Sequence, residues 1–143
     1  MSTTAQVDPR GPRFGAWTTT VVLAVTLVTG WWLLLAVQAI VFAVGAFLGL
    51  EHAPYGMLYR RLVAPRLRPT DEREDVAPPQ FAQGVGFVFA LVGTIGYVSG
   101  ATMVGVVATA LALVAAFLNA AFGLCLGCEM YLLGRRLAPH IGK

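Results

Sequence analysis

Long apolar blocks, separated by glycine breaks and short polar stretches, set the pattern of the chain. Residues 14–29 are apolar with interspersed threonine, Gly30 interrupts them, and residues 31–50 form a second apolar run broken only by Gln38. Since roughly 20 residues cross a hydrocarbon core, this length predicts two helices folded back at Gly30. Residues 81–99 start the pattern again, with Gly84, Gly86, Gly93 and Gly96 suited to close helix contact, and Gly100 stands where Gly30 stood. A fourth span is expected over residues 101–121. Trp17, Trp31 and Trp32 are expected near the interfaces, where indoles are favoured.

The polar stretches predict shorter elements. Pro54 and Pro65 bound a short interfacial helix over residues 55–63, with Met57, Leu58, Leu62 and Val63 on its apolar side and Arg60 and Arg61 reaching water or headgroups. A second such helix is expected over about residues 128–137. Residues 66–80, rich in proline and alternating charge, read as a solvated linker, and residues 1–13 as a flexible polar arm with no cleavable signal.

The two halves look like copies. GAFLGLEHAPYGMLYRRLVAP (residues 45–65) aligns with NAAFGLCLGCEMYLLGRRLAP (residues 119–139) with one gap, and each follows a pair of apolar runs hinged at glycine. Either the likeness is chance between small apolar segments, or the chain is an internal duplication. Under duplication each copy crosses twice, so the copies insert the same way up, as parallel repeats about an axis along the membrane normal. The expected fold is therefore a single-domain all-α membrane protein. It has four transmembrane helices as two parallel helical-hairpin repeats (residues 14–65 and 81–139), each followed by a short interfacial amphipathic helix.

Composition agrees with this pattern: 57% hydrophobic and 12% charged residues, with a mean hydropathy of +0.73, leave too little polar surface to cover a water-soluble globule. The net charge of +3 does not point to nucleic acid. Arg10, Arg13, Arg60, Arg61, Arg66, Arg68, Arg73, Arg135, Arg136 and Lys143 all fall in the arm, the central stretch or the tail, and the glycine hinges carry no charge. The positive-inside rule then puts both termini and the linker on the cytoplasmic side of the plasma membrane.

Cys125 and Cys128 are the only cysteines, and their C-x-x-C spacing is the main chemical signal. Two sulfurs so spaced at the start of a helix lie within disulfide reach, where backbone N–H groups and the helix dipole favour a thiolate. Cys125 is expected to exchange with a partner and Cys128 to resolve the mixed disulfide, with Glu129 as proton relay or polar cap. In the alignment Glu51 and His52 fall opposite Cys125 and Leu126, so His52 either assists a thiol or caps its own short helix. Asn119 is a candidate substrate contact, whereas Gln38 reads as a helix-packing amide. Arg60, Arg61, Arg135 and Arg136 would supply positive field for a sulfur anion. The bland alternative makes both cysteines packing residues. A metal centre is not expected, because two further ligands would have to come from Glu51, His52, Glu129 and His140, and no cofactor is expected.

HAPYGMLYRRLVAPRL, PPQFAQGVGFVFALVG and above all AAFLNAAFGLCLGCEMYLL resemble DUF4395, a family of uncharacterised actinobacterial integral membrane proteins, over residues 7–137. The resemblance implies sulfur or thiol handling in company with thioredoxin-like and rhodanese-type sulfurtransferase proteins, and assigns no reaction. A looser similarity is to the vitamin K epoxide reductase group, four-helix membrane proteins with a C-x-x-C on the fourth helix. That group's reactive pair lies toward the non-cytoplasmic side and works with a second cysteine pair that this chain lacks, so quinone reduction is not carried over.

The leading expectation is a membrane protein whose cytoplasm-facing C-x-x-C exchanges thiols or sulfane sulfur with a thioredoxin-like or sulfurtransferase partner, as thiol-disulfide oxidoreductase or sulfur carrier, and moves a small sulfur species. Two alternatives stand beside it: a small-solute channel or transporter with incidental cysteines, and a non-catalytic membrane anchor or assembly factor for a soluble enzyme. Small-xxx-small patterns such as Gly45 with Gly49 and Ala112 with Ala116 also permit homo-oligomers.

Overall fold

The computed structural model describes residues 6–7, 10–49, 52–66, 74–75 and 77–141. Among the described residues there are six α-helices: α1 (Arg10–Thr29), α2 (Trp32–Ala43), α3 (Pro54–Leu58), α4 (Ala77–Val98), α5 (Thr102–Phe122) and α6 (Leu126–Ile141). Two widened turns extend α2 over Val44–Leu48 and α3 over Tyr59–Val63. A two-residue antiparallel ladder joins β1 (Gln6–Val7) to β2 (Glu74–Asp75), pairing Gln6 with Asp75 and Val7 with Glu74. The arm and the linker are thereby linked at the backbone, which the sequence reading did not foresee; residues 1–5, 8–9, 67–73 and 76 lie outside the described residues.

Helix boundaries follow from local chemistry. Pro12 stands in the first turn of α1, and Pro78 and Pro79 in the first turn of α4, where the missing N–H costs nothing. Both helices therefore start earlier than the apolar pattern suggested, at Arg10 and Ala77. The four breaks after α1, the α2 extension, α4 and α5 are glycines of positive φ: Gly30, Gly49, Gly100 and Gly123. Gly123 (φ 70°) closes α5 with its N–H on the Asn119 carbonyl (3.0 Å) and the Leu124 N–H on the Leu118 carbonyl (3.2 Å), a Schellman-type cap that turns the chain toward Cys125. Within the long helices Thr18, Thr20, Thr26, Thr29, Thr94 and Thr109 bond the carbonyl four residues back, as expected of threonine in apolar helices.

The four long helices form a ring in which α2 packs on α4, α4 on α5, and α5 on α1, with the α1–α2 hairpin touching more loosely. The core is Leu23, Leu35, Ala39, Phe42, Ala90 and Ala112, with Phe87, Phe89, Tyr97 and Leu113 against it. Glycines permit the close approaches: a Cβ on Gly96 would stand 2.7 Å from the Gly105 nitrogen. The outer faces are apolar too, with Val21, Val28, Ile40, Val88, Ile95, Val107 and Leu111 exposed. Apolar residues outside as well as inside suit hydrocarbon as solvent. Among the described residues two helices, Pro79–Val98 and Thr102–Phe122, are long and apolar enough to cross a membrane, and Trp32–Leu48 is a shorter apolar helix.

One end of the bundle gathers the α1 and α4 starts, the α2 and α5 ends, α3 and α6; the hinges Gly30 and Gly100 form the other. There α3 leans on α1 and α6 leans on α4. Two contacts across this end have the same form. The Arg13 guanidinium at the start of α1 bonds the Ala120 and Ala121 carbonyls at the end of α5 (3.0 and 3.4 Å), and the Gln80 amide at the start of α4 bonds the Ala46 carbonyl at the end of α2 (2.8 Å). Ala46 and Ala120 occupy the same place in the two aligned segments.

Candidate functional site

The cysteine segment is built by the α5 cap and the α6 start. Gly123 reverses the chain, and Cys125 becomes the residue just before α6, its carbonyl taking the Glu129 N–H (3.0 Å). Its Sγ accepts the Cys128 N–H at 3.2 Å, the place a serine or aspartate oxygen would fill as an N-cap. Cys125 and Cys128 are joined as a disulfide with Cα atoms 5.1 Å apart, inside the ordinary range for such a bridge. Both are half-buried. Glu129 is exposed in the first turn of α6, where a carboxylate complements the helix dipole.

Gly127, between the sulfurs, sets the seat of the segment. Its missing side chain lets α6 approach α4 so closely that a Cβ there would stand 2.6 Å from the Ala82 Cα and Cβ. One turn on, the Tyr131 ring meets Phe81 (centroids 5.7 Å), and Arg135 lies over Tyr131 at 5.9 Å with its N–H on the phenol oxygen at 3.3 Å. Arg136 is exposed. α6 runs from Leu126 to Ile141, longer at both ends than the predicted 128–137.

The other predicted residues fall elsewhere at the same end. Asn119 is half-buried in the last turn of α5, and its carbonyl holds the Gly123 turn. His52, exposed, begins the segment that leans on α1, the diagonal counterpart of α4 in the ring, and Arg60 and Arg61 are exposed farther along that segment. Cys125, Cys128 and Glu129 thus lie together at the α6 start with Arg135 farther along that helix, Asn119 ends α5, and His52, Arg60 and Arg61 belong to the segment that leans on α1. Among the described residues no three of His, Cys, Asp and Glu cluster as metal ligands.

Two residues at this end were missed. Arg13 satisfies the α5 end and reaches the Gly123 turn, where a Cβ would lie 3.9 Å from its guanidinium, two residues before Cys125. Tyr55 on α3 packs its Cβ toward Gly15 and sends its O–H 2.6 Å to the Oε1 of Gln38, a fully buried amide. Burial pushes the Tyr55 phenol above its ordinary value, so it stays a donor. The only sequence signals were an arginine just ahead of an apolar run and a lone amide inside one.

Fold and site together define a small, predominantly helical protein with helices of membrane-crossing length and a cysteine pair, the first of which caps α6, at one end of the bundle. The chain belongs to the family described as Domain of unknown function (DUF4395), whose pattern it matches over residues 7–136. No curated protein and no solved structure matches it.

Proposed function

We propose that this protein is a multi-pass plasma-membrane thiol-exchange protein: four spans arranged as two parallel hairpin repeats hold the Cys125–Cys128 pair at the cytoplasmic leaflet for a soluble thioredoxin-like or sulfurtransferase partner. The repeat reading is supported by the Arg13–Ala120 and Gln80–Ala46 contacts, which link equivalent helix ends across the bundle in both directions. Sidedness is supported by the confinement of basic residues to the arm, linker and tail.

The observation that carries the chemistry is the Cys128 N–H aimed at the Cys125 Sγ. A thiolate at that atom is stabilised by this donor and by the α6 dipole, which makes Cys125 the better sulfur to attack a partner disulfide and to be released when the mixed disulfide is resolved. In the reductive direction a partner thiolate attacks Cys125, the bridge breaks, and Cys128 leaves as a thiolate that takes a proton. The partner's second thiolate then attacks the mixed disulfide, releasing Cys125 and leaving the partner as its own disulfide. Two electrons and two protons pass to the cysteine pair, and the reverse sequence oxidises it. Delivery of sulfane sulfur would use the same Cys125 in the reduced pair: its thiolate attacks the outer sulfur of a partner persulfide, the partner's S–S bond breaks, and the partner's thiolate leaves, so Cys125 carries the persulfide. Glu129, exposed beside Cys128, is placed to exchange protons with water.

The test is a Cys128→Ser protein in cells: it should accumulate a mixed disulfide through Cys125 with a cytosolic protein. Cys125→Ser and the double variant should not. Equal trapping through either cysteine would remove the assigned order, and no trapped partner would remove exchange altogether.

A further inference from the structure

Two polar atoms inside the bundle have no hydrogen-bond partner among the described residues: Nε2 of Gln38 and the hydroxyl of Tyr97. Gln38 is 0% exposed, and its other amide atom is already taken by Tyr55. Leaving a donor dry in hydrocarbon surroundings is costly, and an apolar side chain would avoid that cost at either site.

These atoms flank one interior column. Gln38 stands one turn from Leu35 on α2. Leu35 and the Thr109 hydroxyl both face Gly93, at 2.9 and 3.4 Å from where a Cβ would be. Thr109, 1% exposed, bonds the Gly105 carbonyl (2.7 Å), and Gly105 is covered by the Tyr97 ring. Tyr55, Gln38, Thr109 and Tyr97 thus follow one another from the α3 end toward the Gly100 hinge. By helical rise Gln38 and Tyr97 are separated by about 10 Å along the bundle, a gap that a few water molecules bridge.

We infer that the bundle interior binds a short file of water, or water-sized neutral hydrogen-bonding molecules, between the Gln38 amide and the Tyr97 hydroxyl, with Tyr55 closing it at the α3 end. Thr109 offers its oxygen as a further acceptor midway. The site is independent of the cysteines: it would give the bundle a polar interior at mid-depth, at the interface between its halves, where transporters of paired-repeat design place their solutes.

A double-mutant cycle decides the matter, because hydrated and dry atoms respond with opposite sign. In a Tyr55→Phe background, Gln38→Met and Tyr97→Phe should each lower the melting temperature of the purified protein in detergent by a few degrees. The double variant should lose less than the sum, since both ends share one file. A rise on either substitution, or simple additivity, would overturn the inference. Where a variant does not fold, the unmodified protein still decides: the resolved side-chain amide of Gln38 in ¹⁵N-labelled protein should show magnetisation transfer from long-lived bound water. Its absence would equally overturn the proposal.

Discussion

The Arg13 Nε donates to the Ala120 carbonyl at 3.0 Å, so the first turn of α1 supplies the partner that the last turn of α5 lacks. Ala120 is buried, and its carbonyl belongs to the four that a helix end leaves unpaired. A cation there also complements the negative end of the α5 dipole. The helix that precedes the cysteines is thus terminated from across the bundle.

Replacing Arg13 by alanine should destabilise the protein by about 1 kcal/mol, less than a buried charged hydrogen bond because the guanidinium is exposed to water. Lysine, which keeps the charge without the two-pronged donor, should recover part of this. Reversible unfolding in mixed micelles measures both. A loss in Arg13→Ala no larger than that of an exposed arginine such as Arg61→Ala would remove the capping role.

Gly127 and Gly134 lie on the same helix and should respond with opposite sign. A side chain at Gly127 runs into the Ala82 backbone, whereas nothing lies within 4 Å of one at Gly134. Gly127→Val should lift α6 from α4 at a cost of about 1–3 kcal/mol and raise amide exchange across residues 126–137. Gly134→Ala should slow that exchange by strengthening the helix by roughly 0.5–1 kcal/mol. Hydrogen-exchange mass spectrometry on the two variants checks the pair.

Much of this fold is legible in hydrophobic periodicity. Apolar runs longer than one span, cut by Gly30 and Gly100, give the two hairpins, and Gly123 with the C-x-x-C gives the turn into α6. What periodicity does not carry is long-range pairing by lone polar residues. Arg13 looks like an ordinary flanking arginine until α5 is set beside it, and Gln80 looks like the end of a linker until α4 starts at Ala77. Tyr59 sits between apolar residues and arginines with nothing to mark it, yet it is buried against Gly11 and beside Phe14 (ring centroids 5.9 Å).

The raised Tyr55 phenol gives a pH dependence of known sign. The folded protein holds this proton to higher pH than the unfolded chain, whose tyrosine titrates near 10. The stability it contributes is therefore fully present below pH 10 and declines as pH rises through the folded value. Denaturation profiles between pH 8 and 12 should show an alkaline loss that is smaller in Tyr55→Phe. Superimposable profiles would contradict the half-buried Tyr55–Gln38 bond.

The central claim is that the Cys125–Cys128 pair meets partners at the cytoplasmic leaflet, and sided labelling tests it most directly. After gentle reduction, a membrane-impermeant maleimide should modify Cys125 in inverted vesicles and leave it unmodified in right-side-out vesicles. Modification from the outer side alone, or from neither side until the membrane is dissolved, would contradict the account.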